Sequence, residues 1–333
     1  MGLVGSLGDH KAPGHDVISN TLMKIIAPYL IEPFVDLVNS CLSQGFVPHH
    51  FKISLITPIH KGGHKSDPGN YRPISTISVL AKLFEKVLCS RLVKYLDKYR
   101  ILSELQFDFR QGRSTADALN VLMESLYGAV DNAKIISFAD DTCLVFEQSS
   151  WEEVKNKTIT DLNTVKRWFD WNMLSVNMKK THFLPISLTI NSLPDYDYLC
   201  FDGDRINRVE FTRYLGVYVD CHPRWDIHSV ELHKRLRKIL YKIRIAREIL
   251  PWDMRYTVYY ALLQSVHQYG ISAWGDLVGR YYLIIERAQK RLLKVLFEKP
   301  ILFSTEMLFR ELRILDPRQL YLETLITSIS KQA

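Results

Sequence analysis

The sequence predicts an α+β protein that is mostly helical and carries a small antiparallel sheet. Apolar residues recur at helical spacing through most of residues 20–100 and again from residue 228 onward, as in amphipathic helices. Residues 182–220 instead alternate apolar and polar side chains between turn clusters, which is typical of short antiparallel strands. Two short apolar runs on either side of Asp140 and Asp141 predict a β-hairpin.

Helices are expected to fill most of the first hundred residues. Apolar side chains repeat at helical spacing over residues 34–42, and Gly45 should end that helix. Residues 53–58 are an apolar run that predicts a strand. The long apolar stripe over residues 80–95 predicts a second helix whose stripe belongs to the core.

The middle of the chain predicts a helix, a hairpin and another helix. The helix pattern of residues 114–127 ends at Gly128, and the hairpin strands follow at 135–138 and 143–146. Ser150 and Glu153 form a capping-box pattern at the start of the next helix. Its predicted inner face consists of Trp151, Val154, Leu162, Val165 and Trp168.

The last third of the chain predicts helices with a strong positive charge. A basic amphipathic helix begins near His228 and ends before Pro251, and further helices follow at 253–268 and 279–297. Residues 231–299 contain fourteen Lys and Arg but six Asp and Glu, whereas the whole chain has a net charge of +7. This concentration of charge indicates contact with nucleic acid.

Composition limits the remaining possibilities. The 333 residues are 47% hydrophobic, which is enough for two modest domains with a substantial core. Five scattered cysteines without a Cys-x-x-Cys pair indicate an intracellular location, in either nucleus or cytoplasm. Without a signal-peptide pattern or an apolar run of about eighteen residues, we expect no membrane partner. The oligomeric state is left open.

The hairpin sequence Phe138-Ala139-Asp140-Asp141 suggests metal chemistry. Paired carboxylates at a tight turn offer hard oxygen ligands to Mg²⁺, which nucleotidyl transfer requires at the α-phosphate. Aspartate is also common in turns because its side chain hydrogen-bonds to nearby backbone. The tetrapeptide alone does not decide between these two interpretations.

The wider sequence resembles the reverse transcriptase of non-LTR retrotransposons, and the jockey-like group most closely. The resemblance extends from about residue 11 onward. The motifs that carry it are, besides the aspartate hairpin, Ala12-Pro13-Gly14-His15-Asp16, Pro58-Ile59-His60-Lys61-Gly62, Asn70-Tyr71-Arg72-Pro73-Ile74-Ser75, Gln106-Phe107-Asp108-Phe109-Arg110-Gln111-Gly112-Arg113-Ser114-Thr115, Leu174-Ser175-Val176-Asn177-Met178-Lys179-Lys180-Thr181, Tyr214-Leu215-Gly216-Val217-Tyr218-Val219-Asp220, Tyr269-Gly270 and Trp274-Gly275.

The resemblance implies a right-hand polymerase remnant. Residues 1–130 correspond to the fingers and the start of the palm, 131–222 to a truncated palm with the aspartate hairpin, and 223–333 to a basic helical thumb and C-terminal extension. The implied partners are an RNA template and a DNA primer, and the implied cofactor is Mg²⁺. The implied site residues are Asp140 and Asp141 as metal ligands and catalytic residues, Lys180 as a catalytic residue, Arg72 and Lys61 on the nucleotide, and Arg110, Arg113, Lys234, Arg235, Arg237 and Lys238 on nucleic acid.

Two motifs of the family are missing. The family has a strand ending in Asp-x-x-Lys-Ala-Phe-Asp and a Gly-x-Pro-Gln-Gly-Ser turn before the hairpin, and this chain has neither, as after an internal deletion. The remaining connector, residues 128–133, is too short to hold them. Asp108, at a position where the family usually has glycine, and Asp131 are alternative carboxylates that we expect not to replace the lost one.

Three functional hypotheses follow. The chain is an active RNA-directed DNA polymerase, or an inert remnant that still binds RNA or DNA, or the product of a decayed or wrongly assembled gene. The incomplete set of carboxylates favours inactivity, because a two-metal site needs ligands from more than one strand. Without the missing strand we also expect a distorted palm with unpaired strand edges, since an isolated hairpin is marginally stable in water.

Overall fold

The structure, a computed structural model, describes residues 2–128, 133–189, 192–277 and 279–332. Within these residues more than half of the chain is helical, and the strands form small sheets of two or three members. This arrangement agrees with the predicted α+β class. Contacts divide the chain into a first unit, Met1–Ser103, and a second unit, Glu104–Ala333. The predicted three-region division stays a prediction.

The first unit contains three helices and one hairpin. Its elements are α1 (Gly2–Gly5), α2 (Asn20–Gln44), β1 (Ser54–His60), β2 (Tyr71–Ile77) and α3 (Val79–Lys98). Strands β1 and β2 pair antiparallel, with Ser54 opposite Ile77 and His60 opposite Tyr71.

Local sequence explains where α2 begins and ends. The Ser19 side chain accepts a hydrogen bond from the Leu22 N–H, a typical N-cap. Gly45 ends the helix as predicted: it adopts φ +63°, a left-handed conformation that glycine adopts without strain, and its N–H donates to the Cys41 carbonyl.

The apolar character of α2 bears on the expectation of no membrane partner, which stays a prediction. By length and composition alone, α2 is the one helix among the described residues that could cross a membrane, and only a minor part of it is buried. The sequence criterion missed it because Lys24, Glu32 and Asp36 interrupt the apolar run. A single helix of this kind is weak evidence, since core helices and signal sequences meet the same criterion.

The second unit contains the hairpin, the short strands and the basic helices. Its elements are α4 (Thr115–Tyr127), β3 (Lys134–Phe138), β4 (Asp141–Val145), α5 (Trp151–Trp171), β5 (His182–Phe183), β6 (Tyr198–Phe201), β7 (Asp204–Arg208), β8 (Phe211–Tyr214), β9 (Val217–Asp220), α6 (Asp226–Ala246), α7 (Met254–Val258), α8 (Ser265–Gln268), α9 (Ile271–Trp274), α10 (Gly279–Leu296), α11 (Thr305–Leu312) and α12 (Pro317–Gln332). A π-helical segment, Tyr259–Gln264, joins α7 to α8.

The larger of two hydrophobic cores among the described residues of the second unit joins its hairpin to the basic helices, while a smaller core lies between α5 and the strands β5–β7. The larger core combines α4 and β3 with β9 and the helices from α6 onward, and its members include Leu119, Ile136, Val217, Leu236 and Leu293. Ile136 and Leu293 are fully buried. The strand that leads to the aspartates is therefore anchored in the same core as the basic helices.

The expectation of an isolated hairpin is wrong, whereas the expected distortion of the palm stays a prediction. The segment before α4 runs parallel to β3 and pairs with it on the edge opposite β4, through a bridge between Gln106 and Ser137. The Phe107 N–H donates to the Ser137 carbonyl at 3.0 Å, and the Ser137 N–H donates to the Leu105 carbonyl at 3.0 Å. These two bonds satisfy backbone groups that the missing strand would otherwise leave unpaired.

The strand pairing within residues 182–220 and the exposure of Trp168 on α5 differ from the sequence predictions. The short strands of residues 182–220 pair antiparallel except β5, which pairs parallel to β7. Helix α5 begins at the predicted cap, where the Ser150 hydroxyl accepts from the Glu153 N–H. Trp168, however, lies on the solvent side of α5 with 54% of its surface exposed, because the core covers only part of the predicted face.

Candidate functional site

The paired aspartates lie at the tip of the β3–β4 hairpin. Phe138 pairs with Asp141, so Ala139 and Asp140 form a two-residue turn and Asp141 begins β4. Ala139 has φ +53°, which matches the positive φ that tight hairpin turns need at this position. Both aspartates are exposed.

Asp141 has an aromatic neighbour from another strand. The Tyr214 hydroxyl at the end of β8 is buried and has no hydrogen-bond partner among the described residues. Burial raises the pKa of this phenol, and negative charge on Cys143 and Asp141 raises it further. The phenol therefore stays protonated and neutral beside Asp141.

The carboxylates at this tip do not fit a two-metal site. Within the described ranges, no group of three or more His, Cys, Asp or Glu residues is placed to hold a metal ion. Asp140 lies in the turn and Asp141 begins β4, so both carboxylates belong to one hairpin tip and neither supplies a ligand from a second strand. Asp108 is half-buried just after the bridge to β3, whereas Asp131 lies outside the described residues.

Lys180 is exposed and its backbone N–H donates to the Asn177 carbonyl in the turn that precedes β5. Its ammonium group contacts no other described side chain. The structure thus places Lys180 on a surface turn, and its catalytic role stays a prediction.

Arg72 and Lys61 share the hairpin of the first unit. Arg72 pairs with Ile59, and Lys61 follows two residues after Ile59 with its N–H bonded to the Asn70 carbonyl. Because alternate residues of a strand face the same side, Arg72 and Lys61 lie on one face of the hairpin. Both are exposed, as phosphate contact would require.

Arg110 and Arg113 are engaged within the protein. Both guanidinium groups form ion pairs with Glu104, that of Arg110 at 3.8 Å, and Arg113 also lies over the Phe107 ring. Contact with nucleic acid would therefore require Glu104 to exchange its partners. The contact of Arg110 and Arg113 with nucleic acid stays a prediction.

Helix α6 presents the predicted basic side chains to solvent. Lys234, Arg235, Arg237 and Lys238 are all exposed, and among them Lys234 forms an ion pair, with Glu231 at 2.6 Å. Helix α6 packs along α10, a contact that the sequence alone did not predict, and α10 adds Arg287 and Arg291 to the same surface. Their spacing of four residues on an amphipathic helix is the signal that could have indicated a shared face.

Residues from both of these packed helices line a cavity of about 500 Å³, which we call the α6–α10 groove. Its lining residues are His233, Leu236, Arg237, Leu240, Tyr241 and Arg244 from α6, and Arg287, Ala288, Arg291 and Leu292 from α10. Burial and the neighbouring Arg237 charge lower the pKa of His233.

Comparison with known proteins confirms the resemblance predicted from the motifs. No protein-family model matches the chain. It is 34% identical to a probable RNA-directed DNA polymerase from transposon X-element of Drosophila melanogaster over 125 residues. These 125 residues are 37% of this chain and 14% of that protein. The chain is 35% identical over 130 residues to a probable RNA-directed DNA polymerase from transposon BS of the same species, 39% of this chain and 14% of that protein.

A third relative is the RNA-directed DNA polymerase from mobile element jockey of Drosophila funebris, 26% identical over 153 residues, which is 46% of this chain and 16% of that protein. The matching part of this chain thus spans about 14% of the length of the first two relatives. The chain is similar to reverse transcriptases of non-LTR retrotransposons.

Proposed function

We propose that this chain is a reverse-transcriptase-derived protein that binds RNA or DNA through its basic helices and does not polymerise. The observation that carries the proposal is the exposed basic surface of α6, in a chain whose relatives are RNA-directed DNA polymerases. In this proposal the hairpin of the first unit derives from the fingers, residues 131–222 from a shortened palm, and residues 223–333 from the thumb.

The carboxylate geometry supports the loss of polymerisation. Relatives that polymerise nucleic acid imply a general requirement for divalent metal ions, and two-metal sites hold their ions about 3.5–4 Å apart between ligands from separate strands. Here Asp140 and Asp141 are consecutive, and no described carboxylate joins them in a group of three. These residues do not fit a pair of Mg²⁺ ions.

The charge distribution supports binding. Arg235, Lys238 and Lys242 are exposed and form no ion pair with other described residues, so their charges are available to phosphates. Each phosphate contact releases condensed counterions, which makes affinity fall with salt by a slope of about 0.7–0.9 per contact. Binding through this surface is expected to be steeply salt-dependent and largely independent of sequence.

The test is fluorescence anisotropy with labelled RNA and DNA over a salt series. We expect the triple variant Arg235→Gln, Lys238→Gln and Lys242→Gln to bind more weakly and to reduce the log–log salt slope by about 2. The matched control removes three exposed charges from α3, as Arg91→Gln, Lys94→Gln and Lys98→Gln. Equal losses in both triple variants would show that net charge, not α6, determines binding.

Primer extension on an RNA template with Mg²⁺ tests the second half of the proposal. We expect no product above that of the Asp140→Ala, Asp141→Ala double variant. Extension that disappears in the Asp140→Ala variant would overturn the proposal. If the Asp108→Asn single variant also lost extension, Asp108 would be identified as the carboxylate from a second strand.

A further inference from the structure

The α6–α10 groove combines charge and apolar surface in an unusual way. Its floor is made by Leu236, Leu240, Ala288 and Leu292, and its rims carry four exposed arginines, Arg237, Arg244, Arg287 and Arg291. None of these four forms an ion pair or a side-chain hydrogen bond with another described residue. In the described part of the chain, no carboxylate lines the groove. The groove is therefore complementary to an anionic ligand that also has an apolar face.

The basic residues that line the groove are all of one type. Each of them is an arginine, whereas the lysines of α6 and α10, together with Arg235 and Arg280, lie outside it. Lys234 and Lys290 are paired with Glu231 and Glu286, and Lys294 donates to the Ile301 carbonyl. Arginine binds phosphate with two parallel hydrogen bonds and stacks on planar rings, which the lysine ammonium cannot do.

A tyrosine at the groove suits a nucleobase. The Tyr241 ring is 67% exposed on the rim, so one face can stack on a base.

The shape of the groove distinguishes single strands from duplexes. A duplex keeps its bases stacked inside and presents phosphates outward, so it could contact the rims while leaving the apolar floor uncovered. An unpaired strand can turn a base out of its stack into a pocket while its phosphates remain outside. About 500 Å³ lies within the usual size range of small-ligand pockets, about 300–1,000 Å³.

We infer that the α6–α10 groove binds single-stranded nucleic acid, with a base on the apolar floor and Tyr241 and the flanking phosphates on the four arginines. This inference rests on the proposed function and goes beyond it, because it assigns the ligand class and the place where the ligand binds.

Direct binding of two labelled ligands tests the inference. The full chain is titrated with a labelled twelve-nucleotide oligouridine and with a labelled duplex of the same length and charge per strand. We expect tighter binding of the single strand. Replacing Tyr241 with Ala should weaken single-strand binding about tenfold and leave duplex binding unchanged, because stacking contributes only where a base is unpaired. Tyr29→Ala, at a tyrosine on α2 that is 84% exposed, is the control.

A second variant separates charge from stacking. Arg244→Gln with Arg287→Gln should lower the single-strand salt slope by about 1.4, from two lost phosphate contacts. Binding of both ligands without discrimination, and without an effect of Tyr241→Ala, would overturn the groove inference while leaving the proposed function intact. Absence of any nucleic-acid binding by the parent chain would overturn both.

Discussion

Acidification should destabilise the second unit, because two buried histidines there have no partner for a proton. His267 and His228 both pack against Trp274, with ring centroids 5.9 and 5.0 Å from it. They are 2% and 6% exposed, and the Nε2 atom of each lacks a hydrogen-bond partner among the described residues. Burial lowers the pKa of both to about 4.

The size of the effect follows from these pKa values. An unfolded histidine has a pKa of about 6.5, so between about pH 6.5 and 4 the unfolded chain binds protons that the folded chain does not. The stabilisation is complete above that window and is lost as the pH falls through it. At about pH 5 the loss is about 2 kcal/mol for each histidine and about 4 kcal/mol for the pair.

Urea unfolding followed by tryptophan fluorescence measures this loss. All six tryptophans belong to the second unit, so the signal reports that unit. The free energy of unfolding is compared at about pH 7.5 and 5 for the parent chain, His267→Phe and His228→Asn. Phenylalanine preserves the ring beside Trp274, and asparagine preserves an acceptor for the Tyr218 N–H, which donates to His228 at 3.4 Å.

Each single variant should lose about 2 kcal/mol less than the parent on acidification, and the double variant should lose about 4 kcal/mol less. Other groups contribute equally to all variants. Asp220 and Asp276, whose pKa values burial raises, work in the opposite direction because the folded protein takes up their protons first. An identical pH dependence in the parent and the double variant would refute the reasoning.

Two further predictions concern the core of the second unit. Ile136→Ala should lower its stability by about 2–5 kcal/mol in urea unfolding, whereas the exposed neighbour Ile135→Ala should change it by less than about 1 kcal/mol; equal effects would mean that β3 is not anchored in the core. Gly270→Ala should cost about 3 kcal/mol, because φ is +63° and a Cβ atom would lie 2.9 Å from a Val217 methyl group. At Gly112, φ is +79° and no atom lies within 4 Å of an added Cβ, so Gly112→Ala should cost only the energy of backbone strain. An equal loss of stability in Gly112→Ala and Gly270→Ala would contradict the steric argument.

Features set by neighbours in sequence could be predicted. The end of α2 at Gly45 and the caps of α4 and α5 at Ser114 and Ser150 depend on residues within one helical turn. The tip of the β3–β4 hairpin was placed correctly for the same reason. Periodicity also located α6 and α10, because an amphipathic pattern records which side of a helix is buried.

Features set by contacts beyond one helical turn could not be predicted. The partner of Arg110 and Arg113 is Glu104, and nothing in the motif indicates that this carboxylate folds onto both arginines. The α6–α10 groove likewise depends on a contact between helices about fifty residues apart. Periodicity shows that a helix has a buried face, but it does not show which element covers that face.

The pairing of residues 105–107 with β3 indicates that the fold and the catalytic site depend on different residues. That segment occupies one edge of β3 and leaves Ile136 buried in the core shared with α6 and α10. The aspartates project from the tip of the same hairpin into solvent and contribute nothing to this packing. Loss of a catalytic strand therefore need not dismantle the basic helices. If this is correct, Asp140→Ala leaves both stability and single-strand binding unchanged, whereas Ile136→Ala weakens both.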